Sequence, residues 1–145
     1  MKPKQLRIFQ TTRGYQISES SEKKLSPAME DYLEMTARLC SESGCTRIGV
    51  LSAALNVKPS SASKMVVKLK ELGYLTFEKS TSIILTDKGR EKSGFLLFRH
   101  ATIEQFLVKI GSPDALKEAE LIEHHLSAET VYAIKKLLSV LSDSS

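Results

Sequence analysis

The sequence predicts a mainly α-helical protein, with a winged helix-turn-helix unit followed by an α-helical domain. Three observations predict it. Apolar residues recur at helical spacing through most of the chain after residue 25. Two short helical stretches flank the turn Asn56-Val57-Lys58-Pro59, and two strand-like runs follow them. Finally, Glu120-Leu121-Ile122-Glu123-His124-His125 lies in a helical context, which puts Glu120, Glu123 and His124 at i, i+3 and i+4 on one face. Two carboxylates and an imidazole on one face make half of a divalent-metal site, and the other ligands must come from elsewhere in the chain.

Bulk properties narrow the classes. The 145 residues suffice for one domain, or a compact domain with an arm. A hydrophobic share of 41% and a charged share of 26% suit a soluble protein with a core. No apolar run approaches the ~18 residues of a membrane span. The N-terminus is basic but lacks an apolar core, so no secretory signal is expected and a cytoplasmic location is. Cys40 and Cys45 have no zinc-like spacing and read as reduced thiols. Six cations against two carboxylates in residues 1–25 account for the whole net charge of +4. A local basic stripe of this kind can bind polyanions.

Taken in order, residues 1–25 show no periodicity and read as a flexible basic arm. Ser26-Pro27 then starts a helix, Ser as N-cap and Pro at the first helical position. It runs to about residue 42, before Gly44, with Met29, Leu33, Thr36 or Ala37, and Cys40 on its apolar stripe. Asp31 and Glu34 share another face of it. Acids in a first turn also suit the helix dipole, which accounts for Glu30 and Asp31 better than for Glu34.

A short helix over residues 47–55 carries Ile48, Leu51, Ala54 and Leu55 on one side. After the turn, Ser60-Ser61 open a longer helix to about Leu72, with Ala62, Met65, Val66 and Leu69 inward, stopped by Gly73. Lys58, Lys64, Lys68 and Lys70 lie along it with no acid among them. A solvated helix face normally mixes signs, so this one reads as a DNA-contacting face. Residues 74–79 and 82–86 read as two strands turning near Ser80-Thr81, the wing, with Lys79 at its tip. Thr86-Asp87 caps a helix over residues 88–110 with His100 in its middle and Glu104 one turn on. Ser112-Pro113-Asp114 opens the helix bearing the Glu-Glu-His face. Ser127 caps a last helix whose stripe, Val131, Ile134, Leu137, Leu138 and Leu141, serves a dimer seam.

At this point the chain resembles the diphtheria toxin repressor family of metal-dependent repressors, in its manganese transport regulator branch. The resemblance covers residues 26–142. It rests on Met29-Glu30-Asp31-Tyr32-Leu33-Glu34, on the run from Val57 through Lys58-Pro59-Ser60-Ser61-Ala62-Ser63-Lys64, and on Leu85-Thr86-Asp87-Lys88-Gly89. It continues through Arg99-His100, Glu104-Gln105-Phe106-Leu107 and Glu120-Leu121-Ile122-Glu123-His124-His125. The resemblance implies a winged helix-turn-helix DNA-binding domain at residues 26–88 and an α-helical metal-binding and dimerisation domain at residues 89–145. It implies metal ligands at Asp31, Glu34, His100, Glu120, Glu123 and His124, forming two adjacent sites. Iron-type members carry Met and Cys where this chain has Asp31 and Glu123, so Mn(II), two ions per chain, is the implied cofactor, with other divalent metals open. Carboxylate and imidazole ligands suit Mn(II) better than softer thiolate sites do. The SH3-like third domain of iron-type members is not expected, and the role of the N-terminal arm is left open.

By the same resemblance, Pro59, Ser60, Ser61, Ser63 and Lys64 lie nearest the DNA, joined by Lys58, Lys68 and Lys79 from the charge pattern. The expected function is a manganese-responsive repressor of metal-uptake genes, binding double-stranded operator DNA as a metal-loaded homodimer. One rival is a winged-helix regulator answering to another metal, an organic ligand or oxidation of Cys40 and Cys45. A metalloenzyme is the other rival, since a binuclear carboxylate site can activate water. No further base, nucleophile or phosphate loop accompanies the site, and the lysine-rich helix would go unexplained.

Overall fold

Helix boundaries fall at residues suited to start or stop a helix. In the computed structural model, which describes residues 24–143, α1 spans Pro27–Ser43. Ser26 Oγ accepts from Met29 N at 3.2 Å, and Pro27 opens the first turn. Gly44 ends it in the left-handed region at φ 82°, its N–H donating to Cys40 O at 2.8 Å. The basic arm predicted for residues 1–25 lies almost wholly outside the described residues.

α2 (Ile48–Leu55) and α3 (Pro59–Glu71) form the helix-turn-helix, with Asn56 left-handed at φ 55° between them. α3 begins at Pro59 rather than at the expected serine pair, because proline's fixed φ suits the first helical position. Its Ala62, Val66 and Leu69 are fully buried. β1 (Leu75–Glu78) pairs antiparallel with β2 (Ser82–Leu85), Leu75 opposite Leu85 and Glu78 opposite Ser82. Lys79 and Ser80 both take positive φ at the tip. An isolated bridge from Thr46 to Ile83 ties the wing back to the start of the helix-turn-helix.

α4 (Asp87–Lys109) is capped by Thr86, whose Oγ1 accepts from Gly89 N at 3.0 Å and donates to Gly73 O. Gly89 sits against the Tyr74 carbonyl, with no room there for a side chain. α5 (Ala115–Ile122) starts at Asp114, whose Oδ1 accepts from Lys117 N. A single 3-10 turn, Glu123–His125, leads to α6 (Ala128–Asp143).

Two apolar cores lie along α4. The first gathers Leu33, Leu51, Val66, Leu69, Leu75 and Ile83 around Leu96 of α4. The second joins Ile103 and Leu107 of α4 to Ala115, Ala119 and Val131. Each buried Leu or Ile contributes about 1.5–3 kcal/mol, so one helix is held by both cores. α6 splits its predicted stripe. Val131 is buried and the Tyr132 ring lies 5.3 Å from that of Phe98, whereas Leu137 is exposed. Among the described residues no helix is long and apolar enough to cross a membrane.

Candidate metal centre and nucleic-acid face

Two elements converge beside α1. α1 presents Asp31 and Glu34, α4 presents His100 at its middle, and the turn after α5 presents Glu123 and His124. The sequence predicts an unbroken helix through His124, but α5 stops at Ile122. The cause is local. Ser127 caps α6 by accepting from Thr130 N at 3.1 Å, and Leu126 before it is extended. The chain must therefore leave the helix, and a tightened last turn swings Glu123 inward until it is 2% exposed.

Two groups of donor atoms result, each within 4.8 Å of one another: Asp31, Glu123 and His124, and Glu34, His100 and Glu123. Glu123 belongs to both. Its Oε2 lies 2.6 Å from His100 Nδ1 and its Oε1 lies 3.7 Å from His124 Nε2. His124 Nε2 also meets Asp31 Oδ1 at 3.1 Å. His100 Nε2 faces Glu104 at 3.2 Å, so this histidine has both its helical neighbour and a centre partner. Glu120 falls in neither group. It is exposed and lines the same open cavity of about 780 Å³ as Asp31, Glu34, His100 and Glu123.

The electrostatics favour a cation. Burial pushes the Asp31 carboxyl above its ordinary range, and Glu30 adds to this while His124 opposes it. Burial raises Glu34 likewise, helped by the Glu123 charge beside it. Glu34 Oε1 is buried and accepts no hydrogen bond among the described residues, with Arg38 Nη2 only as near as 3.6 Å. An orphaned carboxylate oxygen facing a second carboxylate and an imidazole is a donor set that fits a hard or borderline divalent ion.

Sequence reasoning did not single out two buried residues here. Glu30, 7% exposed, pairs with Arg99, 4% exposed, through Nη1–Oε2 at 3.2 Å. Glu30 Oε1 also lies 3.0 Å from His124 Nδ1. The helix dipole accounted for a first-turn acid at the surface, but not for one this deeply buried.

Lys58, Pro59, Ser60, Ser61, Ser63, Lys64 and Lys68 all lie exposed on or beside α3, and Lys79 is exposed at the wing tip. Lys70 instead lies over the Phe77 ring at 5.4 Å.

Residues 24–83 match the iron dependent repressor N-terminal DNA binding domain, and residues 86–144 match the metal binding and dimerisation domain of the same family. The chain belongs to the iron dependent repressor family. The candidate donors straddle both matched regions, Asp31 and Glu34 in the first, His100, Glu123 and His124 in the second. The family is one of DNA-binding transcriptional regulators, not of enzymes. Two HTH-type transcriptional regulators MntR, from Oceanobacillus iheyensis and Geobacillus kaustophilus, are each 40% identical over 120 residues. Each alignment takes in 81% of this chain, with 82% of the first relative and 85% of the second. Among solved structures, the manganese regulator SloR superposes with a TM-score of 0.70 at 27% identity, over 79% of this chain and 55% of that one. The chain thus spans a little over half the length of such structures.

Proposed function

We propose that the chain is a cytoplasmic, manganese-responsive repressor that binds operator DNA as a homodimer, with a two-ion metal centre as its sensor. The observation that carries this reading is the pair of donor groups sharing Glu123, built from a helix of the DNA-binding domain and from the dimerisation domain. Asp31, Glu123 and His124 would hold one ion, and Glu34, His100 and Glu123 the other, with Glu120 reaching in from the cavity wall. Likeness to the MntR regulators at 40% identity and to the manganese regulator SloR supports Mn(II), and other divalent metals are chemically compatible with these donors.

A bound cation supplies positive charge that neutralises this carboxylate cluster. The chain's own residues translate that into shape. Asp31 and Glu34 tie the start of α1 to α4 through His100 and to the 3-10 turn through Glu123 and His124. α1 packs on the helix-turn-helix through Leu33, so fixing α1 narrows the placement of α3. Across a two-fold dimer, the two α3 helices then enter successive major grooves. Pro59, Ser60, Ser61 and Ser63 approach the DNA first, and Lys58, Lys64, Lys68 and Lys79 contact phosphates, which sets register more than sequence. Exposed Leu116, Leu121 and Ile122 of α5 and Leu137 of α6 provide apolar surface for the second copy.

The test is a Mn(II) titration of metal-free protein, following free Mn(II) by electron paramagnetic resonance. Two ions per chain are expected, with duplex DNA selected from a random pool bound only in the loaded state. No uptake at micromolar Mn(II) would overturn the reading.

A further inference from the structure

One buried side chain beside the metal centre belongs to neither donor group. Glu30 neighbours Asp31 in sequence, yet it lies outside both groups and is buried against the far side of His124. It is 7% exposed and stands between Arg99 and His124. His124 uses Nε2 toward Asp31 and Glu123, which leaves Nδ1 on the far side of the ring. That Nδ1 lies 3.0 Å from Glu30 Oε1 and 3.2 Å from Arg99 Nη2.

These two contacts make opposite demands. Arginine only donates, so the Arg99 contact needs a bare Nδ1. A carboxylate only accepts, so the Glu30 contact needs Nδ1–H. A neutral imidazole carries one proton and satisfies one demand at a time. With its proton on Nε2, His124 donates to Asp31 and accepts from Arg99. With Nε2 turned over to a cation, the proton sits on Nδ1 and Glu30 is the group that receives it.

We infer that Glu30 is a positioning residue for the metal centre: it holds His124 in the tautomer whose Nε2 is free for metal, and Arg99 holds Glu30. The inference rests on the proposed ligand role of His124. A ligating histidine is tuned by the acceptor on its other nitrogen, and removal of that acceptor weakens metal binding about 10–100-fold. Arg99 fits the anchoring role. Its Nη1 and Nη2 both reach the Glu30 carboxylate, at 3.2 and 3.5 Å, while its Nε has no hydrogen-bond partner among the described residues. Glu30 touches only the Asp31 group. His124 is not a member of the Glu34–His100 group, which meets Glu123 at its other oxygen, so the effect is confined to one ion.

Glu30→Gln alone would leave the Arg99 charge buried without its carboxylate, which is itself strongly destabilising. The decisive protein is the double variant Glu30→Leu/Arg99→Met, in which no acceptor is left for Nδ1–H (a glutamine would keep one), compared with wild type and with Asp31→Ala. Each is stripped of metal, melted, and titrated with Mn(II) by electron paramagnetic resonance. In the double variant, the first ion is expected to bind as in wild type and the second about 10–100-fold more weakly. The metal-free melting temperature should stay near wild type. The weakened ion should be the one that Asp31→Ala removes, and adding Asp31→Ala to the double variant should leave the remaining ion unaffected. Wild-type affinity for both ions in the double variant overturns the inference while leaving the metal centre standing. Equal weakening of both ions with a lowered metal-free melting temperature also overturns it, because it assigns Glu30 and Arg99 to folding alone. Absence of Mn(II) uptake by wild type removes the metal reading itself, and this inference with it.

Discussion

Glu123→Gln should separate the two roles of the shared carboxylate, because its effects with and without metal have opposite signs. In the metal-free protein, Glu123 has a donor oxygen within 4.8 Å of one on Asp31 and of one on Glu34. At an effective dielectric near 20 and 4.8 Å, each such like-charge pair costs about 3.5 kcal/mol when both members are ionised, and less for Asp31, which is half-exposed. Glu123 also gains from His100, at 2.6 Å, a charge-assisted contact of roughly 1.5–3 kcal/mol. The amide keeps the shape and a hydrogen-bonding oxygen but removes the charge from both repulsive pairs. The metal-free variant should therefore unfold no earlier than metal-free wild type. Metal should act very differently. Mn(II) at ~100 times its dissociation constant stabilises wild type by about 2.7 kcal/mol, a rise of roughly 5–10 °C for a chain of this size. In the variant each donor group loses its only shared anion, and the rise should vanish. Thermal unfolding with and without Mn(II), repeated on pool-selected DNA by fluorescence anisotropy, reads both effects. An undiminished Mn(II) shift would refute the shared-ligand argument. A metal-free variant melting far below wild type would refute the repulsion argument.

Three further outcomes follow from other parts of the molecule. Gly89→Ala should cost about 1–3 kcal/mol, because the new methyl meets the Tyr74 carbonyl at the joint between wing and α4. A chemical-denaturation midpoint equal to wild type would contradict that packing. Lys64→Ala with Lys68→Ala should flatten the dependence of log affinity on log salt by roughly 0.9 per lysine. If these lysines do not face phosphates, the slope will not change. Alkylation by iodoacetamide near neutral pH should reach Cys45 before Cys40, and Cys40 should catch up only as pH rises. Cys40 is buried, its Sγ is directed at Ile83 O, and burial with the Cys45 charge pushes its thiol up, so it holds less thiolate at any given pH. Equal rates by mass spectrometry would count against this burial.

Capping chemistry made the fold legible. Ser26-Pro27, Thr86-Asp87 and Asp114 announce helix starts by residue type, and Gly44 and Gly111 mark stops by their left-handed φ. The shared face of Asp31 and Glu34 on α1 was legible for a similar reason, since spacing on a helix fixes which side chains share a face, whereas a lone histidine within α4 carries no such spacing. The 3-10 turn was harder. Its cause, the Ser127 cap, was in view, but a periodic reading extends a helix until a glycine or proline interrupts it. That is why Glu120 was grouped with Glu123 and His124 and is found on the cavity wall. Glu30 was obscured by a competing explanation at the surface. Its partner Arg99 is 69 residues away, a relation that no local pattern contains.

The double allegiance of α4 bears on how this chain can be recombined. Leu96 closes the core of the winged helix, while Ile103 and Leu107, two turns on, open the next. A graft that joins this reader of DNA to a foreign sensor at residue 86 would carry off the lid of its own core. The workable splice lies inside the helix, after Leu96 and before Ile103, where the incoming segment inherits the helical phase. His100 sits in that interval. Whoever exchanges sensors in this scaffold must therefore choose, at the seam itself, which parent supplies the histidine.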